Sequence, residues 1–279
     1  MWPGTNSTPK RVNMKNILAL LVLLLLAIGC EKPVDRFATV DGKKVHIVDR
    51  GTGEPTVVFL TGIICPLEHF YTVQSQISKE ARTFSYDRSG LGLSEIIDTV
   101  RTYDHVAIEL EKILTSEDIK APYILVAHSY GGGLARQYYK QFPDKVAGFV
   151  FVDCANDEIY IDSLIQKHLY SLDQLEPDSI ATKGESYEMS YERKNIYWFK
   201  DDFTTDLPVH LLVASGKKAG PDEWISIKVN TYRQFSRGAP QMKIIYAEQS
   251  GHHIQRDQPE LVVKSIKEIL NEVRQQTNK

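Results

Sequence analysis

The sequence predicts an α/β protein in which a mostly parallel β-sheet is flanked by helices. Short apolar runs that suit buried strands alternate along the chain with segments whose apolar residues recur at helical spacing. This alternation is typical of parallel strands joined by helices that pack on both faces of the sheet. The length of 279 residues, of which 42% are hydrophobic and 25% are charged, fits one globular domain with a full core.

The pattern predicts eight strands. The first two, at 37–40 and 44–48, flank Asp41-Gly42, a dipeptide favoured in tight turns, and so predict an opening antiparallel hairpin. The other six are predicted at 56–60, 82–86, 123–126, 146–152, 209–213 and 242–247. Helices are predicted at 134–142, at 222–235, from Pro259 onward, and along the apolar face formed by Val106, Leu110, Ile113 and Leu114.

Segment 154–207 interrupts the alternation. It is polar, rich in Tyr, Asp and Glu, and has no strong strand signal, which indicates a mainly helical cap between core segments 37–153 and 208–279. Most of its aromatic residues are expected to pack the cap onto the body rather than line a pocket: Tyr160, Tyr170, Tyr187, Tyr191, Tyr197, Trp198 and Phe199.

Ser129 is the candidate nucleophile. It follows the apolar run 123–126, precedes the predicted helix 134–142, and has the small residues Ala127 and Gly131 two places on either side. Small residues at these positions let the backbone bend sharply between strand and helix and lift the hydroxyl out of the turn. The helix directs its free N–H groups towards the serine, where an anion forms during acyl transfer.

A serine nucleophile needs a base and an acid that orients the base. His252 is the candidate base because it lies late in the chain, on a Gly-containing loop after the last predicted strand. His253 is the alternative and is expected to be a solvent-facing neighbour, whereas His128 is expected to be a structural hydrogen-bonding group. Loop 215–220 contains no carboxylate, so Asp153, at the end of strand 146–152, is favoured as the acid over Asp222.

Two backbone N–H groups, those of Ile63 and Tyr130, are the candidate oxyanion donors. Tyr130 lies at the head of the helix after Ser129, and Ile63 lies in the Thr61-Gly62-Ile63 turn that ends strand 56–60. Losing one oxyanion donor typically costs about 2.7–4 kcal/mol of transition-state stabilisation, so the placement of these backbone groups matters more than their side chains.

Several short motifs resemble those of the α/β-hydrolase superfamily, and the likeness runs from about Phe37 to Val273. They are TG at 61–62, YDRSGLGLS at 86–94, AHSYGG at 127–132, SGH at 250–252 and QPE at 258–260. The resemblance implies the α/β-hydrolase fold, with Ser129 as nucleophile, His252 as base, and Ile63 and Tyr130 as oxyanion donors. Thr61 replaces the histidine common in the family, and Ala127 replaces the first glycine of the elbow.

The resemblance implies an esterase-like serine hydrolase that acts on a small-molecule ester or amide through an acyl-enzyme. Serine at the elbow argues against the dehalogenase and epoxide-hydrolase branches, which use a carboxylate nucleophile. The same residues could serve a peptidase, a lactonase or an acyltransferase. The alternative from another class is a non-catalytic ligand-binding or sensor homologue.

Composition excludes several other classes. The formal net charge is −3, so no basic surface indicates nucleic-acid binding. Cys30, Cys65 and Cys154 have neither a disulfide framework nor zinc-ligand spacing, and no metal or other cofactor is indicated. Cys65 and Cys154 are expected to be buried small residues. The oligomeric state is left open.

The amino terminus predicts a bacterial lipoprotein-type signal in residues 1–30. Lys15 precedes an apolar run of about 13 residues, shorter than the roughly 20 needed to span a bilayer, and the run ends at Cys30. Acylation of Cys30 after cleavage would anchor the protein to the membrane of the bacterial cell envelope, with the catalytic domain outside the cytoplasm. Met14 is an alternative start of the signal. Residues 31–36 are expected to form a tether to the domain. The alternative to a cleaved and acylated signal is an uncleaved signal anchor.

Overall fold

The computed structural model describes residues 34–97, 99–154, 163, 167, 182–198 and 203–277. The predicted signal at 1–30, the first half of the predicted tether and most of segment 155–181 lie outside the described residues. Of the cap aromatics, Tyr160, Tyr170 and Phe199 also lie outside them. In the described part of the chain, no helix combines the length and apolar character needed to cross a bilayer.

The described strands form one eight-stranded sheet, as predicted. In chain order they are β1 Asp35–Val40, β2 Lys43–Arg50, β3 Thr56–Leu60, β4 Thr83–Tyr86, β5 Tyr123–His128, β6 Val146–Val152, β7 Val209–Ala214 and β8 Lys243–Ala247. Their spatial order is β1-β2-β4-β3-β5-β6-β7-β8. The predicted antiparallel hairpin is β1–β2, β2 also pairs antiparallel with β4, and the remaining neighbours are parallel.

The described α-helices are α1 Tyr71–Ile77, α2 Tyr103–Ser116, α3 Tyr130–Gln141, α4 Lys183–Trp198, α5 Asp222–Phe235, α6 Ile254–Asp257 and α7 Pro259–Thr277. The four predicted core helices are present as α2, α3, α5 and α7. The sequence did not predict the two short helices α1 and α6, because seven and four residues are too few for a helical period to be recognised.

Helices cover both faces of the sheet, and two separate apolar clusters result. On one face α2 and α3 pack over strand residues such as Leu125, and on the other α1 and α7 pack over Ile124 and Val126. Successive strand residues point to opposite faces, so a strand that is covered on both sides must be apolar at every position. This is why β3 and β5 read as continuous apolar runs.

The sheet order brings three strand ends together. In the registers of neighbouring strands, Leu60 of β3 pairs with Ala127 of β5, and His128 of β5 pairs with Val152 of β6. The residues that follow β3, β5 and β6 therefore leave the sheet side by side at its carboxyl edge. Parallel α/β sheets place their ligand sites at this edge.

Helix α4 is the longest described part of segment 154–207. The buried residues described on α4, which are Gly184, Glu188, Glu192 and Asn195, recur at helical spacing but are small or polar. A Cβ atom built on Gly184 would lie 1.9 Å from the carbonyl oxygen of Gly90, so only glycine permits this contact between backbones. Tyr187, as predicted for the cap aromatics, fastens the cap to the body by donating to the Thr99 carbonyl at 2.8 Å.

Candidate active site

Ser129 lies at the tight junction between β5 and α3. Its backbone has φ 51° and ψ −123°, a conformation that costs free energy in any residue other than glycine and persists only where the surrounding structure imposes it. Packing imposes it here, because a Cβ atom on Gly131 would lie 2.3 Å from the Leu60 carbonyl oxygen. The strand-to-helix turn is thus pressed against the end of β3, and Ser129 stays partly accessible.

His252 and Asp153 are in direct contact. The Nδ1 atom of His252 lies 2.8 Å from Oδ2 of Asp153, although 99 residues separate the two in sequence. Asp153 is fully buried, whereas 48% of the His252 side chain is exposed. The other candidate acid, Asp222, is exposed in the first turn of α5. Of the two carboxylates considered, the one that follows β6 is therefore the one beside His252.

The surroundings of Asp153 keep it ionised. Its Oδ1 atom accepts a hydrogen bond from the Ala214 N–H, and Oδ2 accepts one from the Lys228 ammonium, both at 2.8 Å. Burial alone would raise the pKa of Asp153, but the charge of Lys228 and the contact with His252 outweigh it and hold this pKa below its usual value. This role of Lys228 could not be predicted from the sequence, since a lysine on a surface helix is ordinarily solvated.

His128 supports the loop that carries His252. Its Nε2 atom lies 3.0 Å from the His252 carbonyl oxygen, which can only accept, so Nε2 carries the proton. Burial, with the nearby charges of His252 and His253, lowers the pKa of His128 well below its ordinary value, so the ring is neutral. This agrees with the structural role predicted for His128.

His253 is not the solvent-facing residue that the sequence predicted. It is half-buried, with its ring centroid 5.1 Å from that of His128 and 5.5 Å from that of His69. Burial is also the main reason that the pKa of His253 is lowered. Despite these neighbouring imidazoles, no group of three His, Cys, Asp or Glu side chains among the described residues is arranged to hold a metal ion.

The predicted oxyanion loop lies directly beside Ser129. A Cβ atom on Gly62 would be 3.3 Å from the Ser129 Cβ, so the Gly62-Ile63 peptide approaches the serine closely. Tyr130 begins α3, where backbone N–H groups have no partner within the helix. Of the two candidate donors, Tyr130 is thus next to Ser129 in the chain, and the Gly62-Ile63 peptide is close to Ser129 in space. Cys65, in the same loop, is only partly buried, contrary to prediction, whereas Cys154 is buried as predicted.

His128 links Ser129 and His252, because it precedes Ser129 in the chain and its ring packs beside that of His252. The ring centroids of His128 and His252 are 4.6 Å apart, and His128 directly precedes the serine. Among the described residues, the hydrogen bonds of the site include His252–Asp153 but none from Ser129 Oγ to His252. Bonds between a catalytic base and its nucleophile are often long before substrate binds, so the lack of this bond does not rule out His252 as the base.

Comparison with known proteins identifies the class. The family described as the alpha/beta hydrolase fold matches residues 55–175, and solved structures of α/β hydrolases align along most of the chain. The chain has the α/β-hydrolase fold. A curated relative, the uncharacterized protein YqjL of Bacillus subtilis, is 26% identical over 241 residues, which cover 85% of this chain and 92% of YqjL.

Two solved structures illustrate the range of similar folds. A thermophilic esterase from Thermogutta terrifontis has a TM-score of 0.65 and 18% identity, with 87% of this chain and 99% of the esterase covered. Epoxide hydrolase VrEH1 from Vigna radiata has a TM-score of 0.68 and 14% identity, with coverage of 88% and 99%. At these identities the similarity establishes the fold, and the reaction has to be argued from the site.

Proposed function

We propose that the protein is a serine hydrolase that cleaves a carboxylic ester or a small amide through an acyl-enzyme on Ser129. The observation that carries the proposal is the strained Ser129 turn at the same sheet edge as His252, which contacts the buried Asp153. A serine hydroxyl is a weak nucleophile, and a histidine held by a buried carboxylate is the arrangement that activates it.

In the proposed mechanism, Nε2 of His252 removes the proton as Ser129 Oγ attacks the substrate carbonyl carbon. The oxyanion that forms accepts hydrogen bonds from the N–H groups of Ile63 and Tyr130. The imidazolium of His252 then protonates the leaving group, and Asp153, bonded to Nδ1 at 2.8 Å, stabilises its positive charge. Water, activated by the same histidine, attacks the acyl-enzyme, releases the acid and restores Ser129.

The residue at the elbow separates this proposal from epoxide opening. Epoxide hydrolases are among the proteins of similar fold, but their branch of the superfamily uses a carboxylate nucleophile at this position. Here the residue at this position is Ser129. The nearby carboxylate, Asp153, is hydrogen-bonded to His252, Lys228 and the Ala214 N–H. Its two oxygens are thus placed to orient a base.

The test is hydrolysis of p-nitrophenyl esters of increasing acyl length by the purified full chain and by its Ser129→Ala variant. We expect turnover for the wild-type protein, an acyl adduct on the peptide containing Ser129 in mass spectra, and loss of both in the variant. Ser250→Ala, a change at a buried serine on the loop after β8, is the matched control and should keep turnover. Equal turnover by the Ser129→Ala variant would overturn the proposal.

We also propose that the protein is anchored in the bacterial cell envelope by acylated Cys30. The support is the order of residues at the amino terminus: Lys15 precedes the apolar segment 17–29, and Cys30 follows this segment directly. Cys30→Ala should abolish labelling by a fatty-acid analogue and move the protein from the membrane fraction to the soluble fraction. Retention of the label in that variant would contradict acylation at Cys30.

A further inference from the structure

A carboxylate from the cap reaches the candidate oxyanion loop. Glu188 of α4 is buried, and its Oε2 atom accepts a hydrogen bond from the Ile64 N–H at 2.7 Å. Ile64 has φ 50°, a left-handed conformation that is unusual for a β-branched residue. A strained conformation of this kind persists only where its surroundings hold it, and the cap supplies one of the bonds that do so.

The same carboxylate holds Arg88, which contacts the other side of the loop. Oε1 of Glu188 accepts from Arg88 Nε at 2.6 Å, and Oε2 accepts from Nη2 at 2.9 Å. Arg88 Nη1 donates to the carbonyl oxygen of Thr61 at 2.9 Å, and Nη2 donates to the carbonyl oxygen of Gly62 at 2.6 Å. The two side chains of this pair are 1% and 2% exposed, so little water competes for these bonds.

The bond to Gly62 fixes the direction of the candidate donor. The carbonyl of Gly62 and the N–H of Ile63 belong to one planar peptide unit and point in opposite directions. Holding the carbonyl oxygen against Arg88 therefore aims the Ile63 N–H away from Arg88. Arg88 also lies over the ring of Tyr130, 4.8 Å from its centroid, and so contacts the residue that carries the second donor.

We infer that Glu188 is a positioning residue for catalysis, which acts with Arg88 to hold the Gly62–Ile63 peptide in the orientation that presents its N–H to the oxyanion. This inference rests on the proposed serine-hydrolase function and extends it from the sheet edge to the cap. It gives α4 a role in aligning a candidate oxyanion donor.

A second buried pair provides a matched control. Arg101 and Glu109 are 1% and 7% exposed and lie 2.5 Å apart between Nη1 and Oε2. The Arg101 carbonyl also accepts from Asn195 of α4, at 3.3 Å. Glu109→Gln thus breaks a buried arginine–glutamate pair near the same helix, but one that makes no hydrogen bond with residues 61–64.

The experiment compares Glu188→Gln with Glu109→Gln in the full chain. A glutamine at 188 is uncharged, and its single amide oxygen cannot occupy both the Oε1 position, which accepts from Arg88 Nε, and the Oε2 position, which accepts from the Ile64 N–H. Complete loss of an oxyanion donor costs about 10²–10³ in kcat, so a misaligned donor should lower kcat about 10- to 100-fold with KM changed less than about threefold. Glu109→Gln should keep kcat within about twofold of wild type.

Acyl-length preference distinguishes positioning from contact with substrate. The carbonyl group is common to all esters in the series, so Glu188→Gln should lower kcat by a similar factor for short and long acyl chains. A change in preference, or a kcat equal to that of wild type, would overturn the inference. Glu188→Asp provides a second variant if glutamine prevents folding, because it keeps the charge beside Arg88 while shortening the reach to Ile64; we expect a smaller loss of kcat.

The two proposals fail in different ways. If Ser129→Ala loses turnover while Glu188→Gln and Glu188→Asp keep the wild-type kcat, the positioning role is wrong and the serine hydrolase stands. If Ser129→Ala keeps turnover, or if the wild-type chain turns over no ester or amide, the proposed function is overturned and the positioning role falls with it.

Discussion

The two sides of the candidate site are built in different ways. On one side, Ser129 and Asp153 follow adjacent strands of the sheet, and His252 comes from the loop after β8 and contacts Asp153 directly. On the other side, the oxyanion loop after β3 is held by Glu188, which belongs to the inserted cap. The candidate catalytic groups thus depend on the sheet, while we propose that the alignment of one candidate oxyanion donor depends on a helix added to it.

Substitutions on the two sides of the candidate site should affect turnover differently. Apolar packing on both faces fixes the strand ends, so Asp153 and Ser129, the candidate acid and nucleophile, keep their places as long as the sheet folds. The buried face of α4 is polar, and its position depends on directional hydrogen bonds and on one close backbone contact. Changes in the cap should therefore tune turnover, whereas changes at the sheet edge should abolish it.

The largest effect is expected at the sheet edge. Asp153→Asn should lower kcat about 10⁴-fold, because an amide neither fixes the tautomer of His252 nor stabilises its positive charge. The measurement is kcat on the best ester, with folding checked by circular dichroism because Lys228 loses its buried partner. Asp222→Asn, at the exposed start of α5, is the matched control and should leave kcat unchanged. A large loss in Asp222→Asn would contradict the assignment.

A smaller effect is expected from displacing the cap helix. Gly184 and Glu188 lie one turn apart, and a methyl group at 184 would meet the Gly90 carbonyl at 1.9 Å. Gly184→Ala must therefore shift α4, and a displacement of about 1 Å can cost up to about 10²-fold in rate; we expect a loss of about 10-fold in kcat. Ser190→Ala, an exposed position on the same helix, should have no effect. A Gly184→Ala variant with wild-type kcat would show that the two sides are independent.

The smallest effect on turnover at neutral pH is expected from Lys228→Met, whose main effect is on acid stability. The pKa of Asp153 is below its usual value, so its ionised form stabilises the fold above the unfolded pKa of about 4, and this contribution is lost as pH falls through the folded value. Without the Lys228 charge the folded pKa rises. The midpoint of acid unfolding should therefore move to higher pH.

Acid unfolding of Lys228→Met can be followed by circular dichroism, with Arg233→Met as the control. Arg233 is an exposed cation on the same helix and bonds to the Tyr246 hydroxyl rather than to Asp153. Removing its charge alters the net charge equally, so a shift of the midpoint in both variants would point to overall charge instead of the Asp153–Lys228 pair. At neutral pH, where Asp153 keeps Ala214 and His252 as partners, turnover of the Lys228→Met variant should stay close to wild type.

The core could be predicted largely from the sequence because each buried strand is apolar along its length. Strands 56–60 and 146–152 and helix 222–235 have the predicted bounds. β1 starts at Asp35 instead of residue 37, since it pairs through backbone bonds that do not require apolar side chains. Helix α4 could be expected only as part of a helical cap, because Gly184, Glu188 and Asn195 bury a face that hydrophobic periodicity does not reveal.

The sequence by itself determined the α/β sheet, the Ser129 turn and the late histidine, because these depend on local patterns of apolar and small residues. The sequence favoured Asp153 over Asp222, but only the tertiary structure showed that Asp153 lies beside His252 and that Lys228 and Glu188 contact the site. Those contacts join residues 75 to 124 positions apart. Their geometry depends on strand order and on how a polar helix docks, and neither leaves a periodic signal in the chain.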